Sequence, residues 1–227
     1  MKLQNLAGAM AMAVSLVGAS MAHAATVLTW TNANTGVAKV VDFNGYEDGL
    51  IAGLNAEITY TLSSVTNGGK TWNFAYQVEN ISSAPVTASR ISGFGFNVDP
   101  NVSGSSATGT YTHTASGNVP MLGSREVCIT GNNCAGGASG GVTFGNTGSG
   151  TFRLNFGSSK SSLALSDLYV RYQSVNAPGV TGGSAVGVPT ILPPGGVPEP
   201  ATWAMMLTGF FAVGATLRSA RRQTVAA

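Results

Sequence analysis

AEITYTLSSVTNGGKTWNFAYQVEN, residues 56–80, decides the fold. Ile58, Tyr60 and Leu62 recur at every second position and share one face of an extended segment, and Trp72, Phe74, Tyr76 and Val78 do the same farther on. A period of two belongs to half-buried strands, whereas helical faces repeat every three to four residues. Asn67-Gly68-Gly69 separates the two runs with residues that tolerate a tight turn, so the stretch reads as a β-hairpin.

The same alternation predicts strands over 37–43, 90–98, 126–129, 151–156 and 167–175, divided by Gly, Ser, Asn and Pro. Regularly spaced short strands with turn residues between them predict an all-β chain, an antiparallel β-sandwich-like single domain over 25–175. Trp72, Phe74, Phe94, Phe96, Phe152 and Phe156 are its candidate core rings, and about 150 residues suffice for one core. Beyond Asn176 the pattern dissolves into APGVTGGSAVGVPTILPPGGVP, so 176–197 reads as a Gly/Pro-rich linker.

With 31 Gly, two Cys and 9% charged residues, the composition suits a turn-rich extracellular fold. The formal charge of +2 comes from the ends, because residues 25–197 carry seven Lys/Arg against eight Asp/Glu. No basic face for nucleic acid follows from that balance.

Both ends read as targeting segments. At the N-terminus, Lys2, an apolar run from Leu6 to Val17 and the small-x-small triplet Ala22-His23-Ala24 predict a signal peptide over 1–24, cut by signal peptidase so that the mature chain starts at Ala25. At the C-terminus, Trp203 to Leu217 carries no formal charge, and a helix of that length reaches roughly 22 Å. That is short of a hydrocarbon core about 30 Å thick. Arg218, Arg221 and Arg222 follow it and favour a cytoplasmic far end, leaving the body outside.

Val197-Pro198-Glu199-Pro200, two variable residues, Trp203-Ala204, the apolar run and the basic end closely resemble the PEP-CTERM domain in its PEPxxWA variant, over residues 198–222. The resemblance implies a transmembrane sorting helix over 203–217, transient residence in the inner membrane of a Gram-negative bacterium, and processing by an exosortase, a membrane cysteine transpeptidase, at or near Pro-Glu-Pro. The destination it implies is the cell surface or the extracellular matrix, with exopolysaccharide as a possible partner. Physically the motif fits that role: two prolines hold the segment extended, and a Trp ring favours the membrane–water boundary.

Within the body, REVCITGNNCAGGASGGVTFG and SDLYVRYQSV resemble a cysteine-pair group of such exported proteins, the cistern family. Cys128 and Cys134 enclose five residues that include Gly131 and two asparagines. In an oxidising compartment this pair reads as a disulfide, worth about 2 kcal/mol for so small a loop. A metal site would want more His or Cys nearby.

Several fragments imitate chemistry. Gly137-Ala138-Ser139-Gly140-Gly141 fits G-x-S-x-G, but a nucleophile elbow also requires a strand, a helix and a downstream His, and no His follows Ser139. His113, in a Thr-rich stretch, is the one imidazole left after the signal peptide is removed. Gly69-Lys70-Thr71 resembles the end of a phosphate loop but sits in the hairpin turn. Asp42, Glu47 and Asp48 form the one dense acidic group, either a calcium loop or a solvated turn.

The resulting expectation is a non-enzymatic, exosortase-processed surface or matrix protein without a cofactor. Its rivals are a hydrolase acting on polysaccharide, which would use two carboxylates flanking a cleft, a carbohydrate-binding module with exposed rings, and a permanently anchored single-span protein.

Overall fold

A computed structural model describes residues 26–137 and 139–190. The expected signal peptide with Ala22, Ala24 and Ala25, and the expected sorting segment with its helix, lie outside the described residues. Among the described residues, no helix is long and apolar enough to cross a membrane.

The chain opens with β1 (Leu28–Thr31), β2 (Ala38–Tyr46) and β3 (Leu50–Thr66), followed by β4 (Thr71–Glu79) and β5 (Ala88–Asp99). Next come β6 (Gly104–Gly109), β7 (His113–Val119), β8 (Gly123–Thr130) and β9 (Val142–Thr143). The last three are β10 (Thr147–Asn155), β11 (Ser162–Ala177) and β12 (Val180–Pro189). The described chain is all-β and antiparallel in every strand pair. One sheet runs β6-β10-β4-β3-β2-β12-β11-β5-β8-β7, with β1 added on β11 and β9 on β5. It curls until its two ends meet, where Thr114 Oγ1 on β7 donates to the Ser105 carbonyl on β6 at 2.9 Å.

The 56–80 hairpin forms as its alternation requires. Ile58 pairs with Val78, Tyr60 with Tyr76 and Leu62 with Phe74, and all six side chains are buried. Asn67, Gly68 and Gly69 all take positive φ in the turn, which explains why this short run is Asn-Gly-Gly. Curling places the β3–β4–β10 rings against those of β5. Phe74 stacks on Phe152 with centroids 4.9 Å apart, and Tyr60 meets Phe94 edge-on at 5.9 Å. Trp30 of β1, fully buried, closes on Phe74 at 5.2 Å. Burying each such ring stabilises the fold by about 1.5–3 kcal/mol.

The linker expected over 176–197 is corrected in its first part. Residues 180–189 are β12, an interior strand between β11 and β2. At Gly187, large neighbours leave no room for a side chain. A Cβ on Gly187 would lie 2.3 Å from Val170 Cγ2 and 2.9 Å from Tyr172 Cε2. Glycine here serves close strand approach rather than flexibility. Residues 191–197 lie outside the described residues.

The two ends of the body share one lane. β5 occupies one edge of β11 along Ala164–Asn176, so β1, paired at Ser162–Leu165, and β12, paired at Val170–Ala177, both lie on the other edge. Both are antiparallel to β11 and run in the same direction, so the end of β12 points at the start of β1. Gly187 opposite Val170 and Leu28 opposite Leu165 are five β11 residues apart, about 17 Å of strand.

Candidate functional site

The cysteines expected to pair do so. Cys128, on β8, and Cys134 form a disulfide with a Cα–Cα distance of 5.3 Å. Both sulfurs belong to a small outer cluster with Val119, Tyr169 and Val186, separate from the main core. Sequence reasoning missed the two arginines that hold the loop beyond this bridge. Arg171 is buried, and its Nε donates to the Ala135 carbonyl at 2.8 Å, while its other nitrogens reach the Ala185 carbonyl and Ser184 Oγ. Burial lowers the Arg171 pKa, opposed by Tyr169 and Glu47. Arg90 donates to the Gly137 carbonyl at 2.8 Å and also to that of Gly140. The segment imitating a nucleophile elbow is therefore a loop gripped through its carbonyls, and Ser139 lies in it, exposed.

A second buried polar group pins β4 to β5 and β9. Asn80 Nδ2 donates to Ser89 Oγ and to the Val142 carbonyl, and Ser82 Oγ donates to Asn80 Oδ1 at 2.7 Å. The remaining titratable groups are dispersed. Glu126 accepts the backbone N–H groups of Val98 and Val102, so its carboxylate fastens the chain after β5. His113 is exposed at the start of β7, its Nδ1 3.1 Å from Thr112 Oγ1.

The structure separates the acidic residues read as a possible calcium loop. Asp42 lies within β2 opposite Glu57, whereas Glu47 and Asp48 occupy the β2–β3 turn. Five strand positions between Asp42 and Glu47 span about 16 Å, too far to share one ion. Among the described residues, no three His, Cys, Asp or Glu side chains are grouped to hold a metal ion. Asp42 instead begins a cross-strand row, Asp42–Glu57–Glu79, on the outer face. Burial, then Asp42, then Glu79 raise the Glu57 pKa. Glu47 and Asp48 line an open cleft of about 390 Å³ with Leu50, Pro85, Pro178 and Val180.

Of the fifteen aromatic rings described, thirteen are buried, leaving Tyr46 partly exposed and Phe144 at 36% exposure. Most of the rings that sequence alternation could not assign to inside or outside are thus buried, including all six named as core candidates. The outer face of β3, β4, β10 and β6 carries short polar side chains in register. One rung is Thr61, Ala75, Thr151 and Thr108, and the next is Ser64, Asn73, Arg153 and Ser106. A shallow groove of about 260 Å³ crosses them.

The chain matches no protein-family model, no curated protein and no solved structure.

Proposed function

We propose that this protein is an exported, non-enzymatic component of a cell surface or extracellular matrix, processed at the inner membrane by an exosortase and associated with exopolysaccharide. One observation carries the reading: the linear order of leader, disulfide-bearing β body, Pro198-Glu199-Pro200, apolar run and arginines. A buried disulfide belongs to an oxidising compartment outside the cytoplasm. Thr190, hydrogen-bonded to β2, is separated from Pro198 by seven residues, so Pro-Glu-Pro lies at most about 28 Å of extended chain from the body. The leader and the tail would both leave near the gap between β12 and β1.

We also read the curled sheet as a sandwich, its β6-β10-β4-β3-β2 half facing its β12-β11-β5-β8-β7 half through the ring contacts. Mass spectrometry of membrane and released fractions tests the sorting reading. Cells with the matching exosortase should yield a chain starting at Ala25 and ending near Pro200, and cells lacking it should retain the longer form in the inner membrane. A Trp203 peptide persisting in surface protein despite active exosortase would make the tail a permanent anchor and overturn the reading.

A further inference from the structure

We propose that the groove across β3, β4, β10 and β6 binds an acidic, uronate-bearing polysaccharide strand; the inference rests on the exopolysaccharide association proposed above and names the surface and the chemistry. Ser63, Asn73, Ser106, Thr108, Thr151 and Arg153 supply the polar lining of the groove, and Phe74, Ala107 and Phe152 supply the rest. They come from four adjacent strands, so from first to last the groove spans about 14 Å at the usual strand spacing. Arg153 is its one charged side chain, and its hydroxyl-bearing side chains are short, so ordering those against a ligand costs little rotamer entropy.

The groups are already held in place by one another. Thr108 and Thr151 share a hydroxyl–hydroxyl bond of 2.8 Å, and Asn73 Nδ2 donates to Ser64 Oγ at 3.1 Å. Arg153 Nε donates to Asn73 Oδ1 at 3.0 Å. Among the described residues its two terminal amino groups make no hydrogen bond, so the free side of a planar fork faces outward, suited to a carboxylate. Hydroxyls and amides along the rest of the groove match a ligand dense in hydroxyl groups.

Other partners fit this surface less well. Phe74 and Phe152 line the groove but are buried, so a ligand gripped by ring stacking has no exposed platform, and Ala107, the other apolar lining residue, is too small to anchor a protein partner. Nucleic acid requires several cations, whereas the same outer face carries Asp42, Glu57 and Glu79 in one row. That row lies away from Arg153 along β4, where Glu79 and Asn73 are six residues apart, about 20 Å of strand. A bound polyanion is therefore expected to follow the Arg153 end.

The test uses the full chain purified in detergent, with a soluble polyuronate and neutral dextran as probes in affinity electrophoresis. Retardation by polyuronate, weakened at least fivefold by Arg153→Gln and by the pair Thr108→Val and Thr151→Val but unchanged by Lys160→Gln, supports the groove. Thermal melts and circular dichroism must show these variants folded; Arg153→Lys, which keeps the charge without the fork, provides a second measurement and should bind less tightly than Arg153. No retardation, equal retardation by dextran, or polyuronate binding indifferent to Arg153 and both threonines overturns the inference. Failure of the broader reading is seen separately: if the purified chain binds through Arg153 yet the native protein does not fractionate with the cell's exopolysaccharide, the matrix association falls while the groove stands.

Discussion

Thr190 donates its backbone N–H to the Asp42 carbonyl at 2.7 Å, so the end of β12 is still bonded to the second strand of the chain. β12 fills the space between β2 and β11. Without it, Phe43, Val170 and Tyr172, all buried, would lose cover on one side. A chain stopping after Thr190 is expected to unfold cooperatively, whereas one stopping after Gly179 should show no cooperative thermal transition and should bind hydrophobic dye. Equal melting curves for the two truncations would show that β12 is dispensable.

Gly187 provides a finer test of the same lane. Its absent side chain makes room for Val170 and Tyr172. Gly187→Val is expected to lower stability by about 1–3 kcal/mol or more through overpacking, measured by urea denaturation. Gly49→Ala, at a position with nothing within 4 Å of a Cβ, should change stability by less than about 0.5 kcal/mol.

The disulfide closes a loop of sequence separation six. Replacing both cysteines by serine should cost about 2 kcal/mol from loop closure. Burying two hydroxyls in the outer cluster adds to that loss, so the Cys128→Ala, Cys134→Ala chain should fall between the serine variant and the native protein. Intact-mass analysis should find no free thiol in the exported native chain, and peptide mapping should recover both cysteines in one linked fragment.

How much of this was legible follows from where each signal lies. The hairpin of β3 and β4 was readable because its apolar residues alternate and its Asn-Gly-Gly turn needs positive φ, both local properties. β12 was not, since Gly187 is small for reasons that reside in Val170 and Tyr172 on another strand. β6 and β7 hide likewise, being sheet-end strands of Gly, Ser, Ala and Thr with few large side chains to reveal a period. At the candidate sites, Cys128 and Cys134 announced themselves by residue type. Arg171, Arg90 and Asn80 did not, because their partners are largely backbone carbonyls assembled by tertiary structure, and the rung containing Arg153 draws on four strands. The apparent acidic group failed because Asp42 and Glu47 are close in sequence but far apart along an extended strand.

Glu57 lies between Asp42 and Glu79 across the strands, and its pKa is raised above 4.5. A carboxyl that holds its proton more tightly when folded contributes stability at low pH, and that contribution is lost as pH rises through its raised native pKa. Glu57→Gln should therefore melt higher than the native chain at pH 7, with the advantage shrinking as the pH falls through the raised native pKa and gone below 4.5. Glu79→Gln should remove part of the same strain, and the double variant should gain less than the sum of the two. A Glu57→Gln advantage independent of pH would assign the effect to packing instead of charge.

Because β12 runs toward β1 along one edge of β11, the order of the chain can be changed without changing the sheet. Thr190 lies three residues beyond Gly187 and Thr26 two before Leu28, so a linker of about eight Gly and Ser residues, averaging roughly 16 Å, joins ends closer together than the about 17 Å between Gly187 and Leu28. New ends fit between Met121 and Leu122, in the β7–β8 turn, where Met121 is 59% exposed. Opening the turn there breaks the bond from the Leu122 N–H to the Val119 carbonyl and leaves β12 and β1 in place. The permuted body should retain cooperative unfolding and buried Trp30 and Trp72, read together as a blue-shifted fluorescence maximum, with a stability loss of about 1–3 kcal/mol. A permuted chain that unfolds without cooperativity, while the unpermuted chain ending at Thr190 does not, would mean that β1 and β12 do not share the lane.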